Sequence, residues 1–314
     1  PSDDEEALTY AVEPVDGLVL IGIDSHTGSI SAADLDFACN RALTARKAGK
    51  QVLAMMHHPL FPHINGADLY VASATVNDYE NVRNRLADAG VRVVFSGHFH
   101  TSDIARDWNA DLSKEIYDIN TGSTVSYPCD YLELTLDEGM TLLTVSTGNV
   151  TTLEGVENFS EVAKSRLKDS MTRIAKTKIT EKVVDKLGSF AAAIAAAQIE
   201  EMASLAADAF VIHAEGDENV SPAAADMLSQ LSSNAIVKYA LTIYPDYNNA
   251  LQSVLTDTSN YGDADRADQT ADRSLTIDLP VMSESLTLAA DGWSTYYTDF
   301  SIDLEKTANV TGYI

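Results

Sequence analysis

The chain has 314 residues and is 45% hydrophobic, which suits one large domain or two ordinary ones. Its 47 acidic and 21 basic residues give a formal net charge of −26. Proteins that bind a nucleic-acid backbone or an anionic membrane need a basic surface, so this charge argues against both partners. A phosphate ligand would need local positive charge from metal ions or a few Arg and Lys side chains.

The two cysteines, Cys39 and Cys129, lack Cys-x-x-Cys partners, so the sequence indicates neither a zinc–thiolate site nor a disulfide framework. A single disulfide between them stays open. No segment approaches the roughly 18 apolar residues of a membrane-spanning helix. The chain begins at Pro1 with an acidic run, and we expect a processed or truncated product, whose missing signal peptide says little about its compartment. The few cysteines and the Asp, Thr and Asn content lean towards an extracytoplasmic location.

Residues 1–150 show apolar runs that alternate with helical periodicity. The predicted elements are a solvated lead-in (1–14), a strand (18–23), a helix (31–48), a strand (51–56), a long loop (60–72), a helix (77–90), a strand (91–95), a strand (115–119), a turn (120–123) and a hairpin (131–145). This alternation is typical of a layered α/β fold. Ligands of such sheets collect at the carboxyl ends of the strands.

The sequence texture changes near residue 151. Helices are predicted from residue 158 to 188, from 189 to 214, and from Ser221, the N-cap, towards 255. An acidic loop (257–272) follows, and residues 274–277, 286–288 and 295–302 are predicted as strands or an extended tail. We therefore predict a core at 1–150, a mainly helical domain at 151–256, and an acidic loop with an extended segment at 257–314.

Two histidine clusters follow predicted strands. His57 and His58 come after the strand at 51–56, and His98 and His100 come after the strand at 91–95. Because side chains alternate along a strand, His98 and His100 are expected to point one way and Phe99 into the core. Two imidazoles at this spacing form a natural pair of metal ligands. By the same alternation, His58 points to the opposite side from His57 and is interpreted as structural, or as a residue that supports a ligand, rather than as a ligand itself.

Other polar residues are weaker candidates. His63, in the long loop, is a candidate substrate contact or proton donor, and a plain surface histidine is the alternative. Asp24 and His26 follow the first strand and are candidate ligands of a one-metal zinc hydrolase. Ser123 lacks the Gly-x-Ser-x-Gly context of a nucleophile and is interpreted as part of a turn beside the site.

Three segments together resemble the later motifs of calcineurin-like metallophosphoesterases, namely Met56-His57-His58-Pro59-Leu60, Gly97-His98-Phe99-His100 and Asn120-Thr121-Gly122-Ser123. That superfamily includes purple acid phosphatases and class III cyclic-nucleotide phosphodiesterases. The likeness covers roughly residues 15–145. It implies the second half of a layered αββα core, followed by a helical cap like that of some bacterial phosphohydrolases of the superfamily.

The resemblance also implies a site for two metals, in which His57 and His98 bind one metal and His100 the other. The metals would be divalent or trivalent transition metals such as Mn, Fe or Zn, and Ni is also compatible with these ligands. Two cations about 3.5–4 Å apart would bridge a hydroxide and activate it to attack the phosphorus of a small phosphate ester.

The first half of the family pattern, Asp-x-His, then Gly-Asp, then Gly-Asn-His, is not present here in order. Only one helix and one strand separate Asp24-Ser25-His26 from His57, so this stretch fits better as the end of the preceding strand. We expect the missing ligands on an N-terminal half, in the same precursor or another chain, and weak metal binding without them. The main hypothesis is hydrolysis of a phosphodiester or phosphomonoester. The alternative is a non-catalytic binding or scaffold module that keeps the fold, and a one-metal zinc hydrolase comes third.

Overall fold

The computed structural model describes residues 8–60, 62–63, 74–215 and 274–279. Most of the predicted long loop at 60–72 lies outside these residues. So do the predicted helix at 221–255, the acidic loop at 257–272 and the predicted strands at 286–288 and 295–302.

A six-stranded sheet forms the centre of the fold, in the order β1-β2-β3-β4-β6-β5. Its strands are β1 (Tyr10–Val15), β2 (Leu18–Gly22), β3 (Gln51–Met55), β4 (Val93–His100), β5 (Asp103–Trp108) and β6 (Glu115–Gly122). The four inner strands are parallel, and the edge strands β1 and β5 are antiparallel to their neighbours. The carboxyl ends of the parallel strands therefore meet at one edge of the sheet.

Two helices, α1 (Ala32–Lys47) and α2 (Tyr79–Asp88), cover one face of this sheet. Ser31 is the N-cap of α1, and its hydroxyl accepts a hydrogen bond of 3.1 Å from the backbone N–H of Asp34. Leucines of the helices pack against apolar side chains of the sheet. The largest contributors to this core include Leu35, Leu43, Leu86, Ile21 and Val94.

A second sheet covers the other face, with strands β7 (Asp130–Leu136), β8 (Leu142–Asn149) and β9 (Ser274–Asp278). All its pairings are antiparallel, and Leu143, Val145 and Ile277 are buried against the first sheet. The predicted layered α/β class is confirmed. The described residues form three of the four layers of the αββα arrangement. β9 lies in the predicted segment 257–314, yet it pairs with β8, which lies in the predicted core at 1–150.

The helices after the core form a hairpin of α3 (Phe159–Leu187) and α5 (Ala196–Ala214), joined by the short α4 (Ser189–Ile194). The predicted second helix at 189–214 is therefore interrupted at Ala195. The hairpin contacts the core through Tyr127, whose hydroxyl donates a hydrogen bond of 2.7 Å to Glu215. Lys164 of α3 binds the same carboxylate at 2.7 Å. None of the described helices has the length and apolarity needed to cross a bilayer.

The edges of the first sheet differ from the sequence prediction. β1 replaces the last residues of the predicted lead-in at 1–14, from Tyr10 onwards. Sequence analysis did not predict this strand, because an edge strand keeps many side chains in water and therefore lacks an apolar run. β5 was not predicted, since Asp103, Arg106 and Asp107 interrupt its apolar residues. The predicted turn at 120–123 is wrong in part, because β6 continues to Gly122. The disulfide left open does not form, since Cys39 and Cys129 are both free and buried.

Replacing Ile277 with Ala is expected to destabilise the protein by about 2–5 kcal/mol, the usual cost of truncating a buried Ile. Ile277 is 1% exposed and packs with Leu143 and Val145. Thr276→Ala is the matched control, because Thr276 precedes Ile277 in β9 and its side chain is exposed. Urea unfolding measures both variants. Equal stability of I277A and the wild type would contradict the assignment of β9 to the core.

Candidate metal centre

Three histidine rings meet at the carboxyl edge of the parallel strands. His57 and His58 lie just after β3, and His98 lies near the end of β4. One ligand nitrogen of each ring lies within 4.8 Å of the other two, and His98 Nδ1 is 3.3 Å from His57 Nε2. We call His57, His58 and His98 the histidine trio. Three nitrogen ligands can bind one metal ion and leave a fourth position open.

The position of His58 differs from the sequence interpretation. β3 ends at Met55, so the alternation of side chains along a strand does not extend to residues 57 and 58. The rings of His58 and His98 have centroids 4.5 Å apart, and His58 is buried. His58 is therefore a member of the group that could bind metal rather than a residue on the opposite side.

The backbone of β4 is irregular where its histidines lie. His98 has φ +71° and His100 has φ +57°, a left-handed conformation that is uncommon outside glycine and often marks a functional site. The register between β4 and β6 shifts between Ser96 and His100. Phe99 is buried, as predicted. His100 lies outside the trio, and its assignment to a second metal stays a prediction.

Backbone hydrogen bonds connect the two segments that carry the trio. The N–H of Gly97 donates to the His57 carbonyl at 3.0 Å, and the N–H of Met56 donates to the Phe95 carbonyl at 2.9 Å. The Asn120 side chain of β6 donates to the Gly97 carbonyl at 2.7 Å. These contacts place both segments at fixed positions relative to β6.

Ser25 contacts His58 of the trio. Its hydroxyl oxygen accepts a hydrogen bond of 3.1 Å from the backbone N–H of His58 and lies 3.1 Å from Nδ1 of the same ring. Metal-binding histidines usually have such a partner on the ring nitrogen that does not bind the metal. The surroundings of His58 therefore fit a metal ligand.

Burial lowers the pKa of His57, His58 and His100, and the neighbouring His98 lowers each of them further. The neutral imidazole has a free lone pair and is the form that binds a metal. The donor set of the trio thus fits a transition metal such as Zn, Mn or Fe, although it contains no carboxylate.

His63 is buried, so the alternative of a plain surface histidine is wrong. Its Nδ1 lies 2.6 Å from Asp103 Oδ2, and its Nε2 lies 3.2 Å from Asp118 Oδ2. Burial alone would lower the pKa of His63, but Asp103 and Asp118 together outweigh it and raise the pKa to about 10. At neutral pH this histidine is a cation between two carboxylates.

The remaining candidates lie outside the trio. His26 is exposed, and its backbone N–H donates to Asp24 Oδ1 at 3.1 Å. Neither Asp24 nor His26 belongs to the group that could hold a metal, which is the one such group among the described residues. Ser123 accepts a backbone hydrogen bond from Ser126 in the turn after β6.

Sequence analysis gave no individual role to three polar residues that contact the trio or the segments beside it, namely Ser25, Asp118 and Asn120. One signal was present for two of them. Asp118 and Asn120 interrupt an otherwise apolar run in β6, and a polar residue in a buried strand needs a specific partner. Ser25 had no comparable signal, because Asp24-Ser25-His26 lies at a strand end, where polar residues are ordinary.

No family model matches the sequence, and no curated protein is similar to it. Several solved structures are similar to part of the chain, and two of them are phosphatases. A purple acid phosphatase from yellow lupin (Lupinus luteus) seeds has a TM-score of 0.36 and 11% identity, over 48% of this chain and 31% of that one. A dimetal phosphatase from Danio rerio has a TM-score of 0.34 and 13% identity, over 45% of this chain and 57% of that one.

This chain thus spans less than two thirds of either phosphatase. At these TM-scores the similarity says nothing about the activity of this chain.

Proposed function

We propose that this chain carries the metal site of a phosphoesterase that hydrolyses a small phosphomonoester or phosphodiester. The observation that carries the proposal is the histidine trio at the carboxyl edge of the parallel sheet. The order of the histidine motifs along the sequence supports the same function. A phosphate ester also needs local positive charge, which a chain of net charge −26 obtains most directly from a bound metal.

The residues of this chain have distinct roles in the proposed site. His57, His58 and His98 would hold a metal ion such as Mn, Fe or Zn, and His100 would contribute to a second one. A bound metal would supply Lewis-acid polarisation of the phosphoryl group and an activated water. His57 is the exposed member of the trio, so we propose that the substrate approaches from its side. Carboxylate ligands for a pair of metals would come from residues other than the trio.

A non-catalytic metal-binding module is the second candidate. The specific observation in its favour is that the trio, the metal-capable group in the described part of the chain, contains no carboxylate. Three imidazoles alone could equally serve a one-metal zinc hydrolase, whose open position accepts water. In that case the ligands would be the trio, in place of Asp24 or His26.

Metal content and turnover together test the proposal. We expect the purified chain to bind at least one Mn²⁺ or Zn²⁺ at the trio and to hydrolyse an aryl phosphomonoester or phosphodiester slowly. If His100 binds a second metal, His100→Ala lowers both the stoichiometry and the turnover, whereas the exposed control His26→Ala changes neither. Metal binding without turnover would favour the non-catalytic module. Absence of metal binding would contradict both candidates.

A further inference from the structure

We infer that Asp118 and Asn120 of β6 are positioning residues for the histidine trio, although β6 contributes none of its ligands. Asn120 holds the segment that leads into His98, and Asp118 holds the segment that follows His57 and His58. The inference rests on the proposed function, because it concerns the geometry of the same metal site.

Asn120 acts on the backbone next to His98. It is 1% exposed, and its amide Nδ2 donates to the Gly97 carbonyl at 2.7 Å. Gly97 in turn donates its N–H to the His57 carbonyl at 3.0 Å. The left-handed φ of His98 is a conformation that persists only where the surrounding structure fixes it. The Asn120 hydrogen bond fixes the peptide that immediately precedes this residue.

Asp118 acts on the other segment. Its Oδ2 accepts a hydrogen bond of 2.5 Å from the backbone N–H of Leu60, two residues after His58. The same oxygen lies 3.2 Å from His63 Nε2, and Asp103 of β5 binds the other ring nitrogen of His63. The chain after His58 is thus attached to the sheet at residues 60 and 63. His63 is a positioning residue in this arrangement rather than a proton donor.

Asp118 and Asn120 lie on one face of β6, since residues two apart in a strand point the same way. Their neighbours on this face include Val94 of β4 and Ala105 of β5, which belong to the core under α1 and α2. Among the described residues, Asp118 Oδ1 and Asn120 Oδ1 are buried without a hydrogen-bond partner. A half-satisfied buried polar group costs free energy that an apolar side chain would not. Stability alone therefore does not explain these two residues, whereas a role in placing the trio does.

The test compares Asn120→Leu with the control Gln51→Met. Gln51 is also a buried amide that donates to a backbone carbonyl, that of Met140, at 2.8 Å. It lies at the start of β3, at the opposite end of the sheet from the trio. Both variants replace the amide with an apolar side chain of similar size. The readouts are the absorption spectrum and affinity of bound Co²⁺, and the ring NMR signals of His57 and His98 in the metal-free protein.

Asn120→Leu is expected to shift the ring signals of His57 and His98 and to weaken Co²⁺ binding about 10- to 100-fold, the usual effect of removing an outer-shell partner. Gln51→Met is expected to leave both unchanged, whatever it does to the melting temperature. Unchanged ring signals and Co²⁺ spectrum in Asn120→Leu would overturn the inference. If Asn120→Leu does not fold, Asn120→Ala removes the same Nδ2 donor without added bulk, and the same ring signals of His57 and His98 provide the comparison.

The two proposals can fail separately. A wild-type chain that binds no Co²⁺ at the trio contradicts the proposed function. The ring signals of the metal-free protein still decide whether Asn120 positions the histidines. A wild-type chain that binds Co²⁺, together with an Asn120→Leu variant that binds it identically, contradicts the positioning role alone.

Discussion

Replacing His98 is expected to abolish metal binding at the trio. His98 Nδ1 is 3.3 Å from His57 Nε2, and the ring of His98 has its centroid 4.5 Å from that of His58, so the substitution removes an imidazole that lies beside both other ligands. Loss of an outer-shell partner already weakens binding about 10- to 100-fold, and loss of a direct ligand should exceed about 100-fold. Metal content after gel filtration, together with a competition titration against a chromophoric chelator, measures the effect.

The choice of substitution matters, because the backbone of His98 has φ +71°. Asn tolerates this left-handed conformation better than most residues, so His98→Asn removes the imidazole with less strain than His98→Ala. His26→Ala is the control, since His26 is exposed and lies outside the trio. If both His98 variants keep the metal content of the wild type, the ion binds somewhere other than the trio.

Replacing His63 with Leu is expected to have the largest effect on stability. The substitution leaves the buried carboxylates of Asp103 and Asp118 without their shared cation. Breaking a buried ion pair by removing one partner costs about 3–5 kcal/mol. At about 2–4 °C per kcal/mol for a domain of this size, the melting temperature should fall by about 6–20 °C. Thermal unfolding followed by circular dichroism measures the shift, with His26→Ala as the control.

The contribution of His63 should also depend on pH. Its pKa is about 10 in the folded protein and near the ordinary 6.5 in the unfolded chain, so the folded state holds an extra proton between these values. The stabilisation by His63 is complete below about pH 6.5 and is lost as the pH rises through about 10. The difference in unfolding free energy between the wild type and His63→Leu should therefore narrow from pH 7 to pH 10. A difference that stays constant over this range would show that His63 is not protonated in the fold.

Sequence patterns predicted the α/β class because its determinants are local. The apolar runs of β2 and β3, and the Ser31 cap of α1, are visible within a few residues. Local patterns also predicted that His57 and His98 follow strands. The carboxyl ends of parallel strands meet at one edge of a sheet, so the two histidines were expected to lie close together. Their actual proximity supports that reasoning.

The features of the fold and the site that the sequence could not predict depend on strand boundaries and on contacts between residues distant in sequence. Whether His58 joins His57 depends on β3 ending at Met55, and a shift of one residue reverses which side chains share a face. Asn120 and Gly97 are 23 residues apart, and Asp118 and Leu60 are 58 apart, so no local pattern links them. The same limit applies to β5, whose charged residues hide a strand that pairing with β6 stabilises.

The pairing of β9 with β8 has a consequence for synthesis of the chain. About 125 residues separate Asn149 from Ser274, so at roughly 5–20 residues per second a ribosome needs about 6–25 s to deliver the third strand. During that interval one edge of β8 has no strand to pair with, and unpaired edges invite association with other chains. The nascent protein would therefore need protection by chaperones until β9 is synthesised. Production at lowered temperature should raise the yield of soluble protein.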